Sequence, residues 1–336
     1  MIKIIKLLLM IVVLVIATGW GVGAIYFGDS HTSKLQIALA AGFGFSGFLT
    51  MCALISPAWR YRLLIIHGIL FICILVWWLN IAPSNDRQWQ TDVEKLPYAT
   101  FQDNLVTVHN IRNFDYSSEF EYRPAYYTKT YNLDKLEGVD LFAVYWMGPA
   151  IAHTILSFNF GAGNQLAVSI EARKEMNEGY STIKGFFRQF ELIYIVADER
   201  DIIRLRTNYR HDPKEDVYLY SLKGPKENAR RVFLDYIQDI NKLHDKAAFY
   251  NTMIENCTTT IWMHSRVNSD HLPFSWKILL SGYVPEYLYE NSRIDGRLPF
   301  ADLQQFAHIN DEAHQADQAA DFSERIRRPL QEAHSK

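Results

Sequence analysis

Three long apolar runs at the start of this 336-residue chain limit what it can fold into. They cover residues 4–27, 35–55 and 63–82 and hold almost no charged side chains. Each is long enough for a helix to cross a hydrocarbon core of about 30 Å, which takes roughly 20 residues. The first run exceeds the about 7–15 apolar residues of a signal peptide and lacks a small-x-small cleavage site at its end. We therefore predict an uncleaved anchor of three transmembrane helices over residues 1–82.

Basic residues beside these runs predict how the chain crosses the membrane. Lys3 and Lys6 are at the start of the chain, and Arg60 and Arg62 lie between the second and third runs, so all four flank the same side of the membrane. The other short connection, residues 28–34, has one basic residue, Lys34, whose charge is balanced by that of Asp29. We therefore expect a multi-pass membrane protein with its N-terminus in the cytoplasm. Residues 83–336 are then delivered to the periplasm or the outer face of the membrane.

The rest of the chain is predicted to contain a linker (residues 83–102), a folded domain (103–310) and a polar tail (311–336). Segments rich in β-branched and aromatic residues predict strands over residues 105–109, 141–146, 151–158, 165–170, 192–196 and 217–220. Helices are predicted after Asp198, from Pro225 to about Leu243, and after Asn256. Strands joined by hairpins, with helices set apart, indicate an α+β fold with an antiparallel sheet and packed helices.

The charge balance excludes one class of partner for the part after the apolar runs. The first 82 residues hold five of the 34 Lys/Arg and one of the 37 Asp/Glu, so 29 basic and 36 acidic residues remain. This acidic balance argues against a nucleic acid partner and against purely electrostatic attachment to anionic lipid. Since the sequence has no HxxEH motif, no CxxC motif and no glycine-rich phosphate loop, we predict neither a metal nor a cofactor.

Cys257 is the only cysteine outside the apolar runs, because Cys52 and Cys73 lie within them. In an oxidising compartment it has no intramolecular disulfide partner, so it is either a packed free thiol or a nucleophile. Asn256 is a good helix N-cap, and a helix over residues 258–265 would place Cys257 in its first turn. The positive end of a helix lowers a thiol pKa from about 8.5 into roughly the 3.5–7.5 range. These flanks favour the nucleophile, with the packed thiol as the alternative.

A thiol nucleophile needs a base, commonly histidine, which itself needs an orienting acceptor. His153, within a predicted strand, is the best candidate among 11 histidines, and a core histidine bonded to a carbonyl is the alternative. If residues 160–164 form the turn to the next strand, Glu171 falls opposite His153 on one face of the sheet. A turn that is one residue shorter would place Ala172 there instead. Glu171 is therefore the predicted orienting residue if the longer turn forms.

Several polar residues near these three are candidates for contacting a substrate. They are Ser169, Arg173, Tyr180, Asn251 and Asn256. The charged stretch after Ser169 could hold a polar head group, although a solvated charged surface is the simpler alternative. Asn251 could add a second donor to an oxyanion site. The arginines of the DERDIIRLR segment (198–206) could bind phosphate, but structural ion pairs are the safer interpretation.

The segment from Tyr250 to Cys257 resembles the tyrosine, spacer, Asn-Cys pattern of the circularly permuted papain-like thiol enzymes, the group that contains lecithin:retinol acyltransferase. In that group a strand histidine precedes the cysteine, as His153 precedes Cys257 here. A longer stretch, about residues 103–270, is similar to the bacterial Lnb N-terminal periplasmic domain family. The segments that carry this similarity are NIRNFDY (110–116), AHTILSF (152–158), SIEARKE (169–175), FELIYIVADERDIIRLRTNYR (190–210), DVYLY (216–220) and YNTMIENCTT (250–259).

This resemblance implies a periplasmic, permuted papain-like domain with a Cys-His site and a link to N-acylation of lipoproteins. We therefore expect a multi-pass protein of a bacterial inner (cytoplasmic) membrane with a periplasmic C-terminal domain. We expect this protein to be a membrane-anchored thiol acyltransferase or hydrolase that acts on lipid acyl esters. Its acyl donor would be a membrane phospholipid, and a lipoprotein is the acceptor that the resemblance suggests. Two alternatives remain: a cell-wall amidase or peptidase with the same Cys-His site, and a non-enzymatic envelope scaffold.

Overall fold

A computed structural model describes residues 2–28 and 33–335, with side chains described for residues 4–28 and 33–332. Asp29, one of the residues behind the predicted orientation, lies outside this range.

The helices are α1 (Ile2–Phe27), α2 (Lys34–Ala53), α3 (Arg60–Leu79), α4 (Glu199–Arg204), α5 (Lys226–Asp245), α6 (Cys257–Ser265), α7 (Trp276–Leu279), α8 (Val284–Glu290), α9 (Phe300–Ala307), α10 (Asn310–Gln315), α11 (Phe322–Arg325) and α12 (Arg328–Ser335). The strands are β1 (Tyr98–Gln102), β2 (Leu105–Arg112), β3 (Asp115–Tyr116), β4 (Tyr122–Arg123), β5 (Tyr126–Asn132), β6 (Gly138–Tyr145), β7 (Ala152–Asn159), β8 (Gln165–Arg173), β9 (Glu191–Ala197) and β10 (Asp216–Ser221).

The three predicted membrane helices are confirmed as α1, α2 and α3. Their apolar stretches run over Ile4–Phe27, Lys34–Ala53 and Arg60–Leu79, and each is long and apolar enough to cross a bilayer. Small residues let the helices approach closely, since a Cβ atom at Gly47 of α2 would overlap Thr18 of α1. The buried ring of His67 on α3 has partners on both other helices, because its nitrogens lie 2.9 Å from Ser46 Oγ and 3.1 Å from Thr18 Oγ1.

The chain divides into two compact units. The first contains the membrane helices up to Arg87, together with Lys174–Glu191 and Ala248–Thr252. Arg188 ties one of these added segments to α3, because its guanidinium donates to the carbonyls of Trp78 (3.0 Å) and Leu79 (3.1 Å) at the end of that helix. These carbonyls lack partners within a helix, so a basic side chain is well placed there. The membrane unit is therefore larger than the predicted anchor.

The second unit comprises Gln88–Arg173, Leu192–Ala247 and Met253–Lys336 and is built on an eight-stranded sheet. The strand order is β1-β2-β9-β8-β7-β6-β10, with β5 also paired to β2. Helices cover both faces of the sheet, because adjacent strand residues point to opposite faces. Phe158 of β7 packs on Phe233 of α5, whereas the adjacent Ser157 donates a hydrogen bond of 2.6 Å to Glu199 of α4. Strands and helices are thus separated in sequence and layered in space, which confirms the α+β prediction.

The sheet departs from the predicted antiparallel pattern at one point. Most of the described ladders are antiparallel, but β2 pairs with β9 in parallel through Arg112 and Ala197. The connection between these two strands is long, so it can return the chain to the same end of the sheet, as a parallel pair requires. The sheet is therefore mixed.

The predicted linker and the predicted tail both contribute to the domain. Trp89 and Val93 are buried in the main core, and residues 98–102 form β1, so most of the segment 83–102 is not a linker. Residues 311–336 supply the fully buried Phe322 and Ile326 to the same core. Phe322 begins a helix of only four residues and Ile326 directly follows that helix, so the apolar period in the sequence was too brief to recognise.

Candidate active site

Cys257 is the first residue of α6, as the sequence predicted. Asn256 caps this helix: its side-chain oxygen accepts hydrogen bonds from the backbone N–H groups of Thr258 and Thr259, both at 2.9 Å. Thr259 Oγ1 in turn accepts from the N–H of Asn256 at 3.1 Å, which completes a reciprocal capping box. Asn256 therefore orients the end of the helix that carries the thiol. This role differs from the substrate contact that we predicted for Asn256.

His153 lies near the beginning of β7, and the turn that follows sets the register with β8. Asn159 pairs with Gln165 and Ile155 pairs with Ser169, so the turn contains residues 160–164. The longer of the two turns that we considered is thus the one that forms. Gly161 and Gly163 both have φ of +73°, a conformation that glycine adopts without the steric cost of a Cβ atom. Extending the register by two residues places Glu171 opposite His153.

A chain of hydrogen bonds connects His153 with Glu171 through Ser169. Ser169 Oγ lies 2.7 Å from His153 Nε2 and donates to Glu171 Oε1 at 2.8 Å, whereas Nε2 and Oε1 are 3.6 Å apart. Because the serine proton is directed at the carboxylate, we assign the Nε2 proton to His153, which donates to Ser169. The other ring nitrogen, Nδ1, is then available to the Cys257 thiol. Ser169, predicted to contact substrate, instead links the histidine to its orienting carboxylate.

The thiol and the imidazole shift each other's pKa in the direction of an ion pair. Burial disfavours a thiolate, but the charge of His153 and a hydrogen bond from its ring outweigh burial and lower the pKa of Cys257 to about 6. Burial also disfavours an imidazolium, yet the facing Cys257 thiolate and the nearby Glu171 carboxylate raise the pKa of His153 to about 9. Between these two values the pair is predominantly thiolate and imidazolium. A packed, inert thiol would be expected to have a raised pKa instead.

Glu171 remains ionised because of its neighbours. Burial alone would raise its pKa, but the imidazolium of His153, 3.6 Å away, and the positive charge of Arg206 hold the pKa of Glu171 well below its usual range. Arg206 Nη2 donates to Glu171 Oε1 at 2.9 Å, and Arg206 Nη1 lies 3.4 Å from Glu215 Oε2. Arg206 itself is 5% exposed. It therefore acts as a buried anchor for Glu171, which agrees with the structural ion pair that we considered the safer interpretation.

Two threonines border the thiol. Thr258 Oγ1 lies 3.6 Å from Cys257 Sγ and 3.0 Å from Thr154 Oγ1. The backbone N–H of Thr154 also hydrogen-bonds to the sulfur and helps to lower the pKa of Cys257. Neither threonine was singled out from the sequence, because a Thr-rich helix start indicates a cap and gives no sign of what lies across from it.

The remaining predicted substrate contacts are Arg173, Tyr180 and Asn251. Arg173 is buried: its Nε donates to the Val93 carbonyl at 2.9 Å, and its guanidinium stacks 4.1 Å over the Trp89 ring, so it fixes the segment before β1. Tyr180 is half exposed and stacks on Phe190, and both belong to the membrane unit. Asn251 is also part of that unit. The residues that the second unit brings together are Cys257, His153, Ser169, Glu171 and Arg206.

Fold and site together define a class: a membrane-anchored protein whose α+β domain carries a cysteine–histidine–carboxylate arrangement. Residues 122–282 match the model of the Lnb N-terminal periplasmic domain family. The matched segment contains Cys257, His153 and Glu171, and it confirms a periplasmic domain. No curated protein and no solved structure matches the chain. The relationship to papain-like enzymes therefore stays a prediction.

Proposed function

We propose that the periplasmic domain is a cysteine-dependent acyltransferase or hydrolase acting on acyl esters of membrane lipids. The observation that carries this proposal is the Cys257–His153 pair, in which the pKa of the thiol is lowered to about 6 and that of the imidazole is raised to about 9. A thiolate at neutral pH is the attacking species in covalent catalysis by cysteine. The anchored helices keep the domain beside a bilayer, which is where acyl esters of lipids are found.

The first half of the reaction forms an acyl-thioester. The Cys257 thiolate attacks the carbonyl carbon of the ester, so a C–S bond forms and the C–O bond to the lipid breaks. His153 gives its proton to the departing alkoxide, which leaves as a lyso-lipid. Asn256 engages the N–H groups of Thr258 and Thr259. The Cys257 N–H, which no hydrogen bond in the described part of the chain engages, is then available to the oxyanion.

The second half returns the enzyme to its starting state. An acceptor amine attacks the thioester carbonyl, a C–N bond forms, and the C–S bond breaks to regenerate the thiolate. His153, neutral after the first half, takes the proton that the amine loses. With an amine at the N-terminus of a lipoprotein the product is an N-acylated lipoprotein, and with water it is a free fatty acid. Glu171, held by Arg206 and joined through Ser169, keeps the imidazole oriented throughout.

Mass spectrometry of the intact chain tests the proposal. The full-length protein in lipid nanodiscs, incubated with phosphatidylethanolamine, should gain one acyl group on Cys257 that neutral hydroxylamine removes. Cys257→Ser should abolish the hydroxylamine-sensitive adduct and turnover, yet change the free energy of unfolding by no more than about 1–2 kcal/mol. Glu171→Gln should slow acylation less than His153→Ala, because it leaves nucleophile and base in place.

Two further measurements distinguish the proposal from its alternatives. A cell-wall amidase or peptidase would release new amines from muropeptides and leave the phospholipid unchanged. A non-enzymatic scaffold would leave Cys257 unreactive towards iodoacetamide in the folded protein. Near-normal turnover of phospholipid by Cys257→Ser would contradict the proposed mechanism.

A further inference from the structure

An apolar cavity of about 200 Å³ lies in the second unit behind the two threonines that border the thiol. Six elements each contribute an apolar side chain to its wall: Val139 from β6, Leu156 from β7, Val232 from α5, Ile261 from α6, Ile278 from α7 and Leu288 from α8. This volume exceeds that of the roughly 150 Å³ apolar cavity that accepts benzene in an engineered protein. The cavity can therefore hold part of a hydrocarbon chain.

The charged side chains at the border of the cavity are already paired. Asp270 Oδ2 lies 2.9 Å from Arg293 Nη1, and Asp270 Oδ1 accepts from Asn228 at 2.8 Å. Lys223 Nζ lies 3.1 Å from Asp295 Oδ1. A sugar or a peptide needs several free donors and acceptors to replace its hydration. The wall of this cavity offers mainly hydrocarbon surface, which favours an apolar occupant.

The cavity adjoins the site of the thiol. Thr154 and Thr258, which contact Cys257, also line the cavity. On α6 the lining residues are Thr258, Ile261, Trp262 and Ser265, which form one stripe of the helix. Ile261 lies one turn below Cys257, and helical side chains lean towards the N-terminus. A chain attached to the sulfur therefore meets Ile261 first and Ser265 one turn later.

We propose that this cavity receives the acyl chain carried on Cys257 and sets the chain length that the enzyme accepts. The inference rests on the proposed thioester function. It adds that the substrate carries a hydrocarbon chain and that residues of this cavity select the length of that chain. Each methylene group buried from water strengthens binding about fourfold. The length of the cavity along α6 then determines how many methylene groups of the acyl chain can be buried.

Two graded substitutions test this inference. Ile261→Trp narrows the cavity one turn from the thiol, and Ser265→Phe narrows it two turns away. Met263→Trp is the matched control, because Met263 lies on α6 but does not line the cavity and is already partly exposed. The measurement is the single-turnover acylation rate of Cys257 in the full chain with p-nitrophenyl butyrate, octanoate and dodecanoate, followed by mass spectrometry.

We expect the wild-type rate to rise by at least about tenfold from butyrate to dodecanoate, as buried methylene groups require. The dodecanoate-to-butyrate ratio should fall by at least about tenfold in Ile261→Trp and by less in Ser265→Phe, and Met263→Trp should keep the wild-type ratio. A wild-type rate that does not depend on chain length would overturn the inference. So would an Ile261→Trp ratio equal to that of Met263→Trp.

A binding measurement separates failure of the cavity from failure of the proposed function. Trp262 lines the cavity, so 12-bromododecanoic acid bound there should quench its fluorescence in the Cys257→Ala variant. Trp262→Phe identifies the part of the quenching that comes from other tryptophans, and Ile261→Trp should weaken binding. If no ester acylates Cys257 but this quenching occurs, the thioester function fails and the cavity assignment stands. Quenching no greater than in Trp262→Phe would overturn the cavity assignment itself.

Discussion

Ser169 Oγ lies 2.7 Å from His153 Nε2, and this contact, together with the 2.8 Å hydrogen bond from Ser169 to Glu171, makes the serine the link between base and carboxylate. The serine is completely buried, so water does not compete for its hydroxyl. The link also specifies the proton positions, because Ser169 can donate to Glu171 only while it accepts from the histidine. An imidazolium with both nitrogens protonated fits this arrangement.

Ser169→Ala should therefore slow acylation of Cys257 without unfolding the domain. We expect a loss of about 10–100-fold, the usual cost of removing a partner that orients a functional histidine. Ser157→Ala is the matched control, since Ser157 is an equally buried serine whose hydroxyl donates to Glu199, away from the thiol. Acylation rates and thermal unfolding of the two variants decide the matter. An equal loss of rate in both would show that Ser169 matters only for packing.

The pH dependence of thiol alkylation should follow the two shifted pKa values. The iodoacetamide rate of Cys257 should rise through about pH 6 and reach a plateau well below the ordinary thiol pKa. Acylation needs both the thiolate and the imidazolium, so it should rise through about pH 6 and fall again above about pH 9, where His153 loses its proton. His153→Ala removes the charge that lowers the thiol pKa and should move the alkylation midpoint upwards. An unchanged midpoint would contradict the ion pair.

Local sequence signals predicted the parts of the site that depend on neighbouring residues. The capping role of Asn256 and the position of Cys257 at the start of α6 follow from side chains within three residues of each other. The pairing of His153 with Glu171 required one further fact, the length of the turn, which the pairing of Asn159 with Gln165 settles. Both features depend on short-range geometry, but the sequence alone left the length of the turn open.

Contacts between segments that are distant in the chain could not be predicted from local sequence signals. Arg206 reaches Glu171 over 35 positions, and its charged neighbours give no sign of which carboxylate it meets. β5, which consists of tyrosines and polar residues without a regular alternation, was not recognised as a strand, and neither were the short C-terminal helices. The cavity is likewise formed by six separate elements. Tertiary packing decides all of these, and a local pattern does not encode it.

Asn256→Ala should weaken both the helix start and the thiolate. Loss of an N-cap costs about 1 kcal/mol of unfolding free energy. A frayed first turn would also weaken the helix-end field at the sulfur, so the alkylation midpoint of Cys257 should rise. Ser275→Ala is a suitable control, because Ser275 caps α7 by accepting from Lys277 N at 3.3 Å and should leave the midpoint unchanged. Equal midpoints in the two variants would remove any link between the cap and the thiol.

The predicted orientation can be tested with a reporter that is active only in the cytoplasm. Fused at the C-terminus it should be inactive, because the basic residues Lys6, Arg60 and Arg62 place the loop between α2 and α3 on the cytoplasmic side. The same reporter inserted after Pro57, within that loop, should be active. The reverse pattern would invert the topology and remove the domain from the periplasm.

Arg327 should prove essential to the domain although it lies in the segment predicted as a tail. Its guanidinium contacts Asp140 Oδ2 at 2.8 Å and Glu199 Oε1 at 2.6 Å, and both carboxylates are buried. Removing one partner of a buried ion pair leaves an uncompensated charge and costs about 3–5 kcal/mol. Arg327→Leu should therefore lower the free energy of unfolding by about this amount.

Arg325→Leu provides the matched control two positions away. Arg325 is 38% exposed and pairs with Asp321 on the surface of α11, where solvent screens the interaction, so its loss should change stability little. Chemical denaturation of the two variants tests this difference. If Arg327→Leu unfolds at the same denaturant concentration as Arg325→Leu, the C-terminal segment is not part of the stable core.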